Sequence, residues 1–218
     1  MMLQWTRRLL AALAMAGLTT SVSLAQSPEA GDALLAADRI PQPASSWSAV
    51  RLDADGHSRP ARGLADGTLS LGADEHGVEA LYRPADGHVY ERDLGNPDYA
   101  VMEPAPRRPI YLDREHLRYL DVHVTAVSAD RWQGEAVERL QLESRHSMTP
   151  EALSGEVVVT GDGIIVAADL SGTYAPEGQD DWHGWRGSYR LADLERGVDH
   201  DPYLFDWPET VAHLNAPG

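Results

Sequence analysis

Two short acid–histidine runs hold side chains of the type a divalent metal would take, Asp180-Asp181-Trp182-His183 and Asp199-His200-Asp201. Zinc needs three or four convergent ligands, and neither run has the i, i+4 helical spacing of an H-E-x-x-H site. Both are read as solvated loop residues. Asp53-Ala54-Asp55-Gly56 opens like a calcium loop but lacks the third acid and the closing Glu, so it reads as a tight turn. No G-x-S-x-G elbow occurs. Gly161-Asp162-Gly163 reads as a hairpin turn and not a phosphate loop, because no helix follows it and the chain has no lysine. No acid/base pair of the glycosidase kind stands out among the 34 Asp and Glu residues. The reading is a non-enzyme, with no catalytic residue, metal or cofactor assigned.

The other chemistry on offer is apolar. Aromatic and aliphatic residues recur on one face of alternating segments, where they would line a pocket in a half-open sheet. The candidates are Trp47, Leu69, Leu71, Val78, Tyr82, Val122, Val124, Leu140, Leu142, Val157, Val159, Ile164, Val166, Trp185 and Tyr189. Trp182 stands close by, ahead of the same strand as Trp185.

The elements that must position these residues are mostly strands. Leu69 and Leu71 alternate with Thr68 and Ser70, and Val78, Ala80 and Tyr82 with Glu79 and Arg83. Pro84-Ala85-Asp86-Gly87 then turns the chain into a returning strand, His88 to Asp93. Later, Val122/Val124/Ala126, Leu140/Leu142, Val157/Val159 and Trp185/Gly187/Tyr189/Leu191 each share a face, and Ile164, Val166, Ala168 and Leu170 run in unbroken alternation. Period two over so many segments predicts antiparallel strands with one buried and one wet face. A helix is expected from Ser27, its cap, through Ala33, Leu34, Ala37 and Ile40 to a stop at Pro41. A second is expected at Arg114 to Leu120, with Asp113 as cap and Leu112 and Leu117 as a hydrophobic staple. Asn96-Pro97 and the prolines from Pro104 to Pro109 read as a long irregular stretch. The fold class expected is mainly β (α+β): a strongly curved antiparallel sheet, or half-closed barrel, around a short helical plug or lid.

Arg7-Arg8, the apolar run Leu9 to Leu18 and the small residues Ser23 and Ala25 have the layout of a secretory signal peptide over residues 1–25. The apolar run is about half of the ~20 residues a spanning helix needs. Residues 26–218 are then one periplasmic domain with no transmembrane span. All 18 basic residues are arginine, there is no cysteine, and the formal charge is −16, or −18 once Arg7 and Arg8 are removed. That balance argues against nucleic acid and against an anionic membrane face. Any cationic contact to a ligand is a guanidinium fork, although no one arginine is singled out.

The order of elements resembles the LolA-like superfamily of periplasmic lipoprotein carriers and the related LppX/LprG lipid carriers. The resemblance runs over residues 27 to 208. It rests on Asp86-Gly87-His88-Val89-Tyr90-Glu91-Arg92-Asp93, on Trp132-Gln133-Gly134-Glu135, on Gly155-Glu156-Val157-Val158-Val159 entering the Gly-Asp-Gly turn, and on the terminal Asp206-Trp207-Pro208. It implies a half-closed barrel with a helical lid over an apolar cavity, and a lipid or acylated protein as the partner. The lipobox Cys of the LppX/LprG members is absent. The expected function is a carrier or binding protein for an acylated ligand. An envelope docking or sensing module on the same fold is the alternative, and a secreted metal-dependent hydrolase the weaker one.

Overall fold

The computed structural model describes residues 34–104, 117–118, 120–144, 152–174 and 183–215. The signal segment 1–25, most of the expected second helix and Trp182 lie outside the described residues.

Two meanders build the sheet. The first runs through β1 (Trp47–Asp53), β2 (Ser58–Gly63), β3 (Leu69–Leu71), β4 (Val78–Arg83), β5 (His88–Asp93) and β6 (Tyr99–Pro104). The second runs through β7 (Val122–Trp132), β8 (Glu135–Ser144), β9 (Ala152–Thr160), β10 (Ile165–Tyr174) and β11 (His183–Arg196). β1 pairs antiparallel with β11 and joins the two halves, and a short β12 (His213–Asn215) adds in parallel to β6. The order is β12-β6-β5-β4-β3-β2-β1-β11-β10-β9-β8-β7, so the sheet is antiparallel but for one edge, and it does not close. Laid flat, β4 and β10 would stand about 24 Å apart at ~4.8 Å per strand. Yet Tyr82 and Ile165 line one hollow of ≈ 250 Å³, which requires the sheet to curl. No helix among the described residues is long and apolar enough to cross a membrane.

Aspartate makes the hairpins of the first meander. The Asp55, Asp66, Asp74, Asp86 and Asp93 carboxylates each accept the N–H two residues on, at 2.7–3.1 Å. This is the Asx geometry that lets a short side chain take the place of a backbone turn bond. Part of the acidic composition is therefore turn chemistry.

Short elements cover the sheet. α1 (Ala36–Arg39) inserts Ala36, Ala37 and Ile40 against Val122, Val124, Leu140, Leu142, Val157 and Val159. Leu117 and Leu120 are buried in the same cluster. Residues 27–33 of the expected first helix lie outside the described residues, and of its remainder Leu34 and Leu35 are not helical. Leu34 is 61% exposed, and its carbonyl accepts from Val124 N–H (3.0 Å), while Leu35 bridges His123. Edge pairing with β7 thus takes the residues that periodicity assigned to the helix.

The alternation from Ile164 holds in burial, with Ile164, Val166, Ala168 and Leu170 all buried, while the register with β9 shifts at a bulge between Ile165 and Ala167. Two further features depart from the sequence reading. The stretch read as irregular after Asn96 contains β6. The opposite face is also not uniformly wet: α2 (Tyr203–Asp206) and the 3-10 turn Trp207–Thr210 lay Phe205 and Trp207 over Leu81, Tyr90 and Ala100. Arg92 fastens this cover. It is 5% exposed, binds Glu79, bonds the Tyr203 hydroxyl (3.2 Å) and stacks 4.4 Å from the Trp207 ring.

Candidate functional site

β1 turns Trp47, Ala49 and Arg51 to the inside. Through the ladder that face continues to Ala61 on β2, Leu71 and Leu69 on β3, and Tyr82 on β4. On the other side it reaches Leu191, opposite Arg51, and Tyr189, opposite Asp53. All of these but Ala49 form the floor of the ≈ 250 Å³ hollow. Its other wall is Ile40 and the strap Pro41-Gln42-Pro43, with Gly163, Ile164, Ile165, Leu117 and Arg118.

The strap is held by the β9–β10 turn. Ala44 N–H donates to the Asp162 carbonyl (3.2 Å). Gly163, at φ +88°, comes so near that a β-carbon there would sit 2.2 Å from the Pro41 carbonyl oxygen. The turn itself is stiffened by ion pairing. Arg196 Nε donates to Asp162 Oδ2 (2.6 Å), and the Thr160 hydroxyl donates to Asp162 Oδ1 (2.5 Å). Burial works against the Asp162 charge, but the bonds from Arg196 and Thr160 outweigh it and hold the carboxyl below its ordinary value.

Of the residues singled out by alternation, Trp47, Leu69, Leu71, Tyr82, Ile164 and Tyr189 line the hollow. Val122, Val124, Leu140, Leu142, Val157 and Val159 lie instead in the packed core against α1, and Trp185 packs on that core. Val166 is buried in the cluster around Trp47, and Val78 sits half-buried opposite Asp93. Alternation separates inward from outward residues; it does not say which inward residues have a void in front of them.

The residue that sequence reasoning left unassigned is Arg51. It is 3% exposed, at the inner end of the apolar hollow. Its Nε donates to Asp53 Oδ1 (2.6 Å), and its guanidinium carbon lies 4.3 Å from the centre of the Tyr189 ring. Burial pushes the Tyr189 phenol above its ordinary value, so the ring under the cation stays neutral. Arg59 stands on the other side of Asp53, with its Nε 3.4 Å from Oδ2. That Nε is buried without a hydrogen-bond partner. A second, polar hollow of ≈ 320 Å³ opens beyond, lined by Arg51, Asp53, His57, Arg59, Asp74, Glu75 and the Gly187-Ser188 backbone. Arg51 lines both hollows.

Of the two acid–histidine runs, Asp180 and Asp181 lie outside the described residues, and the second run does other work. His200 Nε2 donates to the Trp47 carbonyl (3.0 Å), and Asp201 accepts from Tyr203 N–H (3.0 Å) at the start of α2. Among the described residues no group of three or more His, Asp or Glu is placed to hold a metal ion. The chain matches no protein-family model and no curated protein.

Proposed function

We propose that this protein is a periplasmic, non-enzymatic carrier or binding protein for an acylated ligand, a lipid or a lipoprotein, of the kind its LolA-like order of elements implies. The observation that carries the reading is the ≈ 250 Å³ hollow between the curled sheet and the Pro41–Pro43 strap, walled by Trp47, Leu69, Leu71, Tyr82, Ile164 and Leu191. Each methylene moved from water into such a space is worth ~0.8 kcal/mol, so a chain binds without any catalytic group. A docking module would have no use for a void at this place and would gain stability by filling it. The strap, tied to the β9–β10 turn through Ala44 and Gly163, is the element that must shift to admit or release a chain.

Mass spectrometry of protein purified from its native host tests this directly, together with titration of a fluorescent acyl probe. An acyl compound that co-purifies and saturable uptake of the probe are expected. Protein that carries no lipid and takes up no probe overturns the proposal.

A further inference from the structure

Arg51, Arg59 and Asp53 form a buried cluster that is short of negative charge. Two guanidinium groups share one carboxylate, and both side chains are almost wholly enclosed, 4% and 11% exposed. Arg51 gives its hydrogen bond to Asp53 from Nε and leaves both terminal nitrogens without an acceptor among the described residues. The Arg59 side chain makes no hydrogen bond among them, and its Nε is buried unsatisfied. Burying a charged donor without a partner costs several kcal/mol unless something arrives to pair with it. In a chain of formal charge −16 a spare internal cation stands out. Arg51 lines both hollows and Arg59 lines the polar one, so the spare donors stand beyond the apolar hollow, where the head of a chain lying in it would come to rest.

We infer that this arginine pair is the headgroup site of the cavity, and that the ligand is a single-chain amphiphile ending in one carboxylate, a medium-chain fatty acid. This rests on the acyl-ligand reading given above. The two guanidiniums and Asp53 leave one net positive charge, which one carboxylate neutralises. The other charged groups facing the polar hollow are Asp55, Asp74, Glu75 and His57. His57 is engaged by Asp55 (3.0 Å) and Glu75 (2.5 Å). The Asp74 carboxylate accepts the His76 and Val78 N–H groups at 2.9 and 3.0 Å. This acidic outer rim repels a second charge on the headgroup, so a phosphate dianion is disfavoured against a carboxylate. Size sets the chain number. A 150 Å³ cavity accommodates benzene, and at ~30 Å³ for a water-sized group the ≈ 250 Å³ hollow takes about eight such groups, one chain and not two.

Calorimetric titration of the full chain with octanoate, 1-octanol and octyl phosphate at neutral pH separates the possibilities. Charge-assisted hydrogen bonds of this kind should favour octanoate over 1-octanol by about ten- to a hundredfold. Arg51→Gln and Arg59→Gln should each bring that ratio down toward one. Should Arg51→Gln fail to fold by circular dichroism, Arg59→Gln and the wild-type ligand series still decide. Equal binding of octanoate and 1-octanol by the wild type overturns the headgroup site and leaves the acyl cavity standing. Tighter binding of octyl phosphate than of octanoate overturns the choice of carboxylate. Binding of none of the three overturns the acyl-ligand reading itself, and the inference with it.

Discussion

Ala61→Ile is the sharpest test of the hollow, because a void and a packed core respond with opposite signs. Ala61 lies on β2, 1% exposed, opposite Ala49 on one side and Leu71 on the other, and lines the hollow. Isoleucine adds three carbons there and suits a strand. Buried at ~0.8 kcal/mol per carbon they contribute about 2.4 kcal/mol, less ~0.5–1 kcal/mol for the side chain's lost rotamer freedom. The net gain is about 1.5 kcal/mol, which for a chain of this size raises the melting temperature by roughly 3–6 °C. The same three carbons exclude an equal volume of ligand. An acyl probe should therefore bind roughly fiftyfold more weakly, since 2.4 kcal/mol is worth that factor. Differential scanning calorimetry and probe titration on one preparation read both numbers. If Ala61 were instead closely packed, the extra carbons would be forced into occupied space and cost about 1–3 kcal/mol. A lowered melting temperature with unchanged probe affinity would therefore refute the cavity argument.

Gly163→Ala should cost at least about 2 kcal/mol in urea denaturation, from its left-handed backbone and the approach to Pro41; Gly161→Ala, with open space around it, is the near-neutral control. Arg92→Leu removes the partner of Glu79, whose side chain is 19% exposed, and should cost about 3–5 kcal/mol; adding Glu79→Leu should recover most of the loss, as a double-mutant cycle will show. Asp162 supplies a pH dependence. Its folded pKa lies below the ordinary 3.8, so its contribution is present above that value and is lost as pH falls through the folded one. Asp162→Asn should therefore be less stable than the wild type at neutral pH and lose less on acidification, measured as urea midpoints down to below pH 3.8.

The fold was legible where a local device decides it. β4, the turn at Pro84–Gly87 and β5 have the limits that alternation and turn residues indicate, because the Asp86 carboxylate and the residues flanking it settle the hairpin by themselves. What escaped depends on distant partners. β6 follows the Asn96-Pro97 turn signal, and it is a strand because β5 offers it a ladder from His88 to Arg92. The cover over Leu81 and Tyr90 was hidden for a related reason. Tyr203-Leu204-Phe205 is too short to show a helical period, and Arg92, to which the sequence assigned no role of its own, is what holds Trp207 down.

The site was hidden by parity. In β1, Trp-Ser-Ala-Val-Arg-Leu-Asp, hydrophobicity favours turning Val50 and Leu52 inward and leaving Arg51 in water. The structure does the reverse: Trp47, Ala49 and Arg51 are buried, while Ser48, Val50 and Leu52 are half-buried. A one-residue slip would have put the valine and leucine inside, so something must hold the register that buries a guanidinium. Trp47 does so, lying so closely over Gly63, its ladder partner, that a β-carbon there would sit 2.2 Å from Nε1. Arg51 two turns of the pleat further on follows Trp47 inward, where Asp53 and the Tyr189 ring meet part of its cost. The signal was present as an aromatic residue and an arginine of equal parity in one short strand. A stretch that gives up its better hydrophobic face to bury a cation breaks the local pattern, and such breaks are where a functional site is to be sought.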